Sequence, residues 1–476
     1  MSGVMVARIV MKFGGSSLAS ADLIKHVASL VKKHSEQHEI VVVCSASGDT
    51  TDELLSLVET ARRGRGEEVE KKLGQIEQHH LNLLEAIADD RVREETGETL
   101  KQWLRELRRA VLGILYLREA TPRSTDYVLS FGEKFSTLIT AGALSSTGLK
   151  AQYLDGGEAG IVTDSNFGEA MPLFEVTRLN VRRRLGRMLD EGVTPVVTGF
   201  IATNEEGVVT TLGRGGSDYT ATILASSLPA DEVWLWTDVD GLMTANPRLV
   251  PEAVVLRKIS YNEAVEMALF GAKGLHPRAL EPVMEAQIPV KIKNTFNPSA
   301  EGTLITTSSE KTEKPVKAVL LVNNTAMLTV KGPSMVGQPG TAAKILDTLY
   351  RAGVNVMMIS QSISESSISL IVRRSQLNKA VTAIEKALLG TRIVAAVEPE
   401  EDVVVVAVVG EGMKGTPGVA SRVFGAVASR GVNVRMIAQG SSELNISFVV
   451  REEDGVEAVK AIHEDYGLGR SVQTRG

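Results

Sequence analysis

Short apolar runs alternate with amphipathic stretches through residues 1–300. The runs at 7–11, 40–44, 193–198, 233–237 and 290–293 predict strands. Between the first two, Leu23, Ile24, Val27, Leu30 and Val31 recur at helical spacing and give one helix an apolar face. A further helix is predicted from Ser260, where Glu263 three residues on completes a capping box. Residues 53–120 read as helices with many charges on one face, and Leu100, Leu104, Leu107 and Val111 keep the helical period. Strands that alternate with helices in this way predict an α/β sandwich around a largely parallel sheet.

The pattern changes after a polar stretch, TTSSEKTEKPVK (306–317), which reads as a linker. Beyond it, GVNVMMISQSISESSISLIV (353–372) aligns with GVNVRMIAQGSSELNISFVV (431–450) at a constant offset of 78, with 12 of 20 positions identical. The same offset carries Pro339-Gly340 onto Pro417-Gly418. Two copies of one small module therefore fill the C-terminal third. Each reads strand, Pro-Gly turn, helix, Gly-Val-Asn, strand, turn, strand. The predicted organisation is 1–305, a linker at 306–317, and modules at 318–398 and 399–476. Inside the second copy, VVVVAVVGEGMKG (403–415) imitates the strand and G-x-G-x-x-G of a dinucleotide site. Only 61 residues follow Gly415, too few for the rest of such a domain. The first copy has GPSMVG (332–337) at the matching place, without the middle glycine. These glycines read instead as shaping a ligand-facing turn.

Composition narrows the class. A chain of 476 residues, 43% hydrophobic and 23% charged, has ample core for two to four soluble domains. Its net charge of -6 argues against a general nucleic-acid or anionic-membrane surface. Cys44 is the only cysteine, so no disulfide forms within the chain, which suits the reducing cytoplasm. The apolar run at 4–11 is broken by Arg8 and meets Lys12, unlike a signal peptide. The longest apolar run, 403–409, is too short to span a bilayer. His79 and His80 face different directions on a helix and read as a solvated face, not a metal pair. Arg182, Arg183 and Arg184 receive the same reading.

Four motifs carry candidate chemistry. Lys12-Phe13-Gly14-Gly15-Ser16-Ser17 ends the first strand. Backbone amides of a glycine turn at a helix start bind anions, and a lysine at the strand end reaches the same anion as a point charge. In TTLGRGGSDYTA (210–221), three glycines surround Arg214 and precede Ser217 and Asp218 at a helix start. Ser217 or Asp218 suits a helix cap, but a cap needs neither Arg214 nor three glycines. Arg214 suits a substrate carboxylate, and Asp218 suits holding Lys12 or aligning a phosphoryl acceptor. In WTDVDGLMTANPR (236–248), a buried strand ends where a parallel sheet faces its ligand, so a nucleotide base or ribose fits along the loop. In GAKGLHP (271–277), Lys273 brings a second positive charge towards a polyphosphate, while His276 before Pro277 reads as a helix-end residue.

Taken in order, KFGGSS, SFGEKFS (130–136), TLGRGGSDYTA, TDVDG with NPR, and GAKGLHPR resemble the aspartate kinases of the amino-acid kinase family. The duplicated module resembles the paired ACT domains of the same enzymes. The resemblance runs through nearly the whole chain and is to the monofunctional form, without an appended homoserine dehydrogenase. It implies a three-layer kinase sandwich followed by two ferredoxin-like α+β modules, with 316–322 adding a strand to the second. It also implies ATP-dependent phosphorylation of the aspartate β-carboxylate, the step that opens lysine, threonine and methionine biosynthesis. Lys12 would stabilise the γ-phosphoryl group, Asp218 would organise the catalytic lysines, and Gly14, Gly15 and Ser16 would cradle phosphates. Thr237, Asp238, Met243 and Arg248 would line the nucleotide site, with Lys273 on the ATP phosphates. Thr51, Glu133, Arg214 and Ser217 would hold aspartate.

Four positions depart from the family pattern. Ser16 stands where threonine is common, Met243 where an aromatic residue meets the nucleotide, Asn246 for an aspartate, and Gly274 for an apolar residue. Mg²⁺ is expected on the ATP phosphates, with no protein ligand assigned. The regulatory candidates are the repeat-matched Gly340, Asn355 and Gln361, with Asn433 and Gln439. The implied effector is threonine or lysine, and the implied assembly a homodimer or homotetramer. The alternatives are a kinase of the glutamate or carbamate class and a catalytically inactive amino-acid sensor.

Overall fold

The computed structural model describes residues 7–469 except 273, 309–313, 333–334, 336–337, 362, 364–365 and 392–393. The chain forms two compact units. The first comprises Met1–Leu242, Arg257–Tyr261 and Lys273–Ser308, and the second Met243–Leu256, Asn262–Ala272 and Ser309–Gly476.

The strands of the first unit are β1 (Arg8–Phe13), β2 (Glu39–Cys44), β3 (Ala151–Leu154), β4 (Val162–Thr163), β5 (Thr194–Thr198), β6 (Ile201–Asn204), β7 (Val209–Thr211), β8 (Glu232–Thr237), β9 (Lys258–Ser260), β10 (Val290–Asn294) and β11 (Thr303–Thr306). Eight of them make one sheet in the order β3-β5-β2-β1-β8-β10-β11-β9. Every described neighbour pair is parallel except β10–β11. All five strands expected from the apolar runs lie in this sheet. A small sheet, β4-β6-β7, stands apart from it.

Helices α1 (Ala21–Ser35), α2 (Thr50–Arg62), α3 (Gly66–Leu83), α4 (Asp90–Leu117) and α5 (Pro122–Ser145) come first. They are followed by α6 (Gly156–Ala159), α7 (Phe174–Val181), α8 (Arg187–Asp190) and α9 (Gly216–Ser227). Next come α10 (Tyr261–Leu269), which lies almost wholly in the second unit, and α11 (Glu281–Ala286). Strand alternation decides which face each side chain takes. Ile9, Met11 and Phe13 of β1 join the core built by α1 to α5. Lys12 therefore points to the opposite face, where α9 packs. The helical period of Leu100, Leu104, Leu107 and Val111 is the buried stripe of α4.

One expectation changes here. His80 is fully buried, not solvated: Nδ1 bonds the carbonyl of Ile76 at 2.7 Å, and the ring packs edge-on against Phe135. Burial pushes its pKa down to about 4, so the ring is neutral. His79 turns the other way and bonds Ser47 Oγ at 2.9 Å. A charged helix surrounded by other helices still has a buried side, and the histidine pair straddles its edge. The arginine run is exposed as expected, with Arg182 and Arg184 bonding backbone carbonyls of Ser227, Gly157 and Glu158.

In the second unit, β12 (Ala318–Lys331), α12 (Thr341–Arg351), β13 (Val356–Gln361), β14 (Ser367–Arg373) and α13 (Leu377–Leu388) form one module. The other is β15 (Ala396–Val409), α14 (Val419–Ser429), β16 (Met436–Ala438), β17 (Asn445–Arg451) and α15 (Gly455–Asp465). Each copy thus carries a second helix that the repeat alone did not announce. The strands share one antiparallel sheet, β13-β14-β12-β15-β17-β16. Ala318–Val322 of β12 runs beside Val405–Val409 of β15, so the first copy lends a strand segment to the second. Val316 and Lys317, which composition assigns to the linker, are buried. Lys317 pairs with Glu263 at 3.2 Å, and Glu263 also accepts the Glu411 amide at 2.8 Å. This pairing is what allows a lysine at a core position.

The false dinucleotide fingerprint has a packing cause. A Cβ at Gly410 would fall 2.2 Å from the Pro315 carbonyl oxygen, and one at Gly412 2.8 Å from Pro315 Cα. Gly410 and Gly412 admit the chain's own backbone, while Gly415 takes a left-handed φ of 66° with open space around it.

Candidate active site

The candidate residues of the first unit gather beyond the C-terminal ends of β1, β2, β5 and β8. β1 delivers Lys12, whose Nζ lies 2.5 Å from Asp218 Oδ1, with both side chains 13% exposed. Asp218 sits in the first turn of α9, whose N-cap is Gly215. Ser217 and Asp218 are therefore inside the helix and free for other work; neither caps it. Gly215 is left-handed at φ 70°, and a Cβ there would lie 2.3 Å from His276 Cβ. Gly213 is also left-handed, at φ 77°, and a Cβ at Gly216 would meet Phe200 at 2.7 Å. All three glycines of the arginine loop are thus accounted for by conformation or close approach. Between them Arg214 is exposed, and no described residue bonds its guanidinium.

The phosphate-loop candidates form a 3-10 turn, Gly15–Leu18, and α1 starts only afterwards with Ser20 as its cap. The Gly14 amide bonds the Trp236 carbonyl at 3.2 Å, which fastens the turn to β8. The amides of Gly15 and Ser16 donate to no described residue and remain for an anion. A Cβ at Gly15 would lie 2.8 Å from the Ala46 carbonyl oxygen and 2.9 Å from that of Gly48. Ser17 Oγ bonds Thr295 Oγ1 at 2.7 Å, and the Thr295 amide bonds the Thr237 carbonyl at 2.9 Å, so β10 also braces this turn.

Behind Gly15, the Ala46 amide donates to Glu133 Oε1 at 3.3 Å. Glu133 is 3% exposed, and its Oε2 is buried with no hydrogen-bond partner among the described residues. Burial pushes its pKa up to about 8, against the weaker pull of the Ala46 amide. A buried carboxylate oxygen with no donor is a costly arrangement unless a cationic ligand completes it. Thr51 lies in the first turn of α2, just after this loop, half-buried.

Thr237 bonds Asp238 at 3.3 Å at the end of β8. Lys273 lies outside the described residues. Gly274 has φ 92°, and a side chain there would approach Thr237 Cγ2 at 3.4 Å, so glycine suits this position. His276 starts the turn Pro277–Leu280 and does not end α10. Burial lowers its pKa, while nearby Asp218 raises it. Met243 and Arg248 belong to the second unit: Met243 packs against that unit's core and Arg248 is exposed. Among the regulatory candidates, Gly340 caps α12 at φ 86°, and its repeat partner Gly418 caps α14 at φ 86°. Asn355, Gln361, Asn433 and Gln439 are all exposed.

Sequence reasoning passed over three supports of this site. Ser47 receives His79 and donates to the Leu18 carbonyl at 2.8 Å. Asp126 is buried and bonds the strand that leads to Arg214. Arg278 bonds the Leu212 carbonyl at 3.2 Å and lies over the Tyr219 ring, 5.0 Å from its centroid. The one signal available was spacing: Asp126 and Glu133 are seven residues apart on one helix.

Among the described residues, no group of three or more histidine, cysteine or acidic side chains is arranged to hold a metal ion. No described helix is long and apolar enough to cross a membrane.

Comparison with known proteins places this geometry. The amino acid kinase family model matches residues 7–294, and an ACT domain model matches 328–388 and 406–466. Aspartokinase 1 of Arabidopsis thaliana, a chloroplastic protein, is 35% identical over 96% of this chain and 80% of its own length. The chloroplastic bifunctional aspartokinase/homoserine dehydrogenase 1 of the same plant is 34% identical over 98% of this chain, which spans 52% of that relative. E. coli aspartokinase III, solved with aspartate and ADP in its R-state, has a TM-score of 0.81 at 32% identity, covering 96% of this chain and 99% of the other. The same E. coli protein with lysine and aspartate, in its T-state, has a TM-score of 0.80 at 32% identity, with the same coverage of both chains. The kinase model in the first 300 residues, the two ACT matches after it and relatives that align over nearly the whole of this chain agree: the chain belongs to the aspartokinase family of amino-acid kinases.

Proposed function

We propose that the chain transfers the γ-phosphoryl group of ATP to the β-carboxylate of L-aspartate, giving 4-phospho-L-aspartate and ADP. The observation that carries this reading is a pair of polar groups in the first unit left without partners among the described residues. Glu133 has a buried oxygen with no donor, and Arg214 has an exposed guanidinium with no described acceptor. An α-amino acid supplies both missing partners: its ammonium for Glu133 and its α-carboxylate for Arg214. Thr51 and the Ser217 hydroxyl add polar contacts, and the β-carboxylate is left for Lys12. The E. coli relative's complex with aspartate and ADP supports the same pair of ligands here.

The carboxylate is already ionised at neutral pH, so no general base is needed. A β-carboxylate oxygen forms a bond to the γ-phosphorus as the bond to the bridging oxygen breaks, and the electron pair leaves with ADP. No proton moves. Catalysis is then alignment plus stabilisation of charge on the phosphoryl oxygens. Lys12 supplies that charge, and Asp218 fixes its Nζ. The Gly15 and Ser16 amides take the phosphates behind it. Thr237, Asp238, Met243, Arg248 and Lys273 remain the proposed nucleotide contacts. Asp218 is already paired with Lys12, so a Mg²⁺ ion would be held mainly by phosphate and water. Such an ion would neutralise part of the triphosphate charge.

The paired modules are the proposed regulatory site, with an amino-acid effector at Gly340, Asn355, Gln361, Asn433 and Gln439. Threonine or lysine is the proposed effector, and the lysine complex of the E. coli protein supports that class. The outer strands β13 and β16 expose Ile359 and Ile437, which suits a symmetric homodimer or homotetramer. Cys44 is fully buried, its thiol pushed up to about 12 by burial, and a reducing cytoplasmic setting suits it.

The test is ATP-dependent acyl-phosphate formation trapped with hydroxylamine, compared across aspartate, glutamate and no acceptor, with and without threonine or lysine. Hydroxamate that depends on aspartate and falls with one effector is expected. Equal product from glutamate, or none from any acceptor, would overturn the reading.

A further inference from the structure

Asp126 is the most heavily bonded acid near the site, yet it touches no proposed ligand contact directly. It lies on α5, is 1% exposed, and has both carboxylate oxygens engaged. Oδ2 accepts the Gly168 amide at 2.9 Å and the Thr211 amide at 3.0 Å. Oδ1 accepts the Thr211 hydroxyl at 2.8 Å. Burial raises its pKa, and these three donors oppose that rise.

What the bonds hold is the arginine loop. Thr211 ends β7, three residues before Arg214. The turn at 168–170 is the wall of that loop: the Ala170 amide bonds the Thr211 carbonyl at 2.9 Å. A Cβ at Gly213 would lie 3.3 Å from Glu169 Cγ and 3.4 Å from the Gly168 carbonyl oxygen. Asp126 therefore fastens both the strand that delivers Arg214 and the wall that shapes its turn. Glu133 lies seven residues along the same helix, nearly two turns on and about 20° round, so the two acids share a face. One rigid helix thus carries Glu133 itself and the anchor for Arg214.

We propose that Asp126 is a positioning residue that sets the Arg214 guanidinium against Glu133, and so fixes the spacing of the pocket for an α-amino-acid head group. The inference rests on the proposed aspartate kinase reading. A buried acid that merely stiffens the fold would disturb aspartate and ATP alike. A positioning residue acts through Arg214 alone.

The experiment measures steady-state kinetics of the full chain with aspartate and with ATP varied in turn. Asp126→Asn keeps the shape but turns an amide towards the amide donors. It is expected to raise the KM for aspartate at least tenfold and change the KM for ATP less than twofold. Thr211→Val removes only the hydroxyl bond and is expected to raise the KM for aspartate about threefold to tenfold, so the test stands if Asp126→Asn does not fold. In an Arg214→Ala background, Asp126→Asn should change kcat/KM for aspartate less than twofold. Parallel rises in both KM values, or the same fold-loss with and without Arg214, would overturn the proposal. Wild-type protein inactive on aspartate would instead overturn the functional reading beneath it.

Discussion

The proposed aspartate side of the first unit and the repeat-matched residues of the second unit differ in how their polar groups are held. Around Glu133 and Asp126 the groups are buried and already placed by helix α5, with one oxygen of Glu133 left open. In the modules, Asn355, Gln361, Asn433 and Gln439 are exposed and carried on edge strands or the turns beside them. The first arrangement suits a site that must present one geometry to a reaction. The second suits a site whose equilibrium between states is biased by a ligand, since exposed groups cost little to leave unfilled. Substitutions in the first region should therefore act on turnover or substrate binding without altering effector response. Those in the second should do the reverse.

The largest effect is expected from Lys12→Met. Removing a charge aimed at the transferring phosphoryl group should lower kcat by about 1,000-fold, with unchanged thermal unfolding and effector binding. A near-normal kcat would remove Lys12 from the chemistry. Gly215→Ala comes next. Its Cβ must enter a left-handed backbone and the space of His276, so the loop carrying Arg214 has to move. A displacement of this kind should cost about 100-fold in kcat/KM for aspartate, measured beside a Tm that also falls.

Glu133→Gln should raise the KM for aspartate about 10- to 100-fold, the loss of one charge-assisted bond. It also carries a pH signature. The wild-type carboxyl is protonated below a pKa of about 8, while an ammonium requires the carboxylate. The kcat/KM for aspartate should therefore rise with pH up to about 8 and become flat there in the glutamine variant. Stability moves oppositely. A carboxyl raised above its unfolded value of 4.5 favours the fold fully below 4.5, and that contribution is lost as pH rises through about 8. Ligand-free wild type should lose Tm across this window relative to Glu133→Gln. The smallest effect is expected from Asn433→Ala. It should shift the half-saturating effector concentration about 5- to 10-fold and leave uninhibited kcat unchanged.

Much of this architecture was legible in the sequence because it follows from local periodicity. Five apolar runs became five strands of one sheet, and an offset of 78 became two modules with matching glycine caps. Lys12 and Asp218 were named together from loop chemistry alone, and they meet at 2.5 Å. What stayed hidden depended on distant parts of the chain. His80 looked like surface until Phe135 covered it, and the sequence did not show that Pro315 lies against Gly410 and Gly412. Asp126 could be read as one more polar residue on a helix. Its partners, Thr211 and Gly168, lie 85 and 42 residues away. Local pattern predicts elements, whereas the burial of a polar side chain is decided by whatever else packs there.

Direct attack by the aspartate β-carboxylate on the γ-phosphorus is the central step of the proposed reaction. Aspartate labelled with ¹⁸O in that carboxylate tests it most directly. Hydroxylamine cleaves the product at carbon, so the phosphate released carries the bridging oxygen of the acyl phosphate. One ¹⁸O atom in that phosphate is expected for each hydroxamate formed, with product from Lys12→Met appearing about 1,000-fold more slowly. Phosphate free of label, released at the wild-type rate, would mean that water is the acceptor and would contradict it.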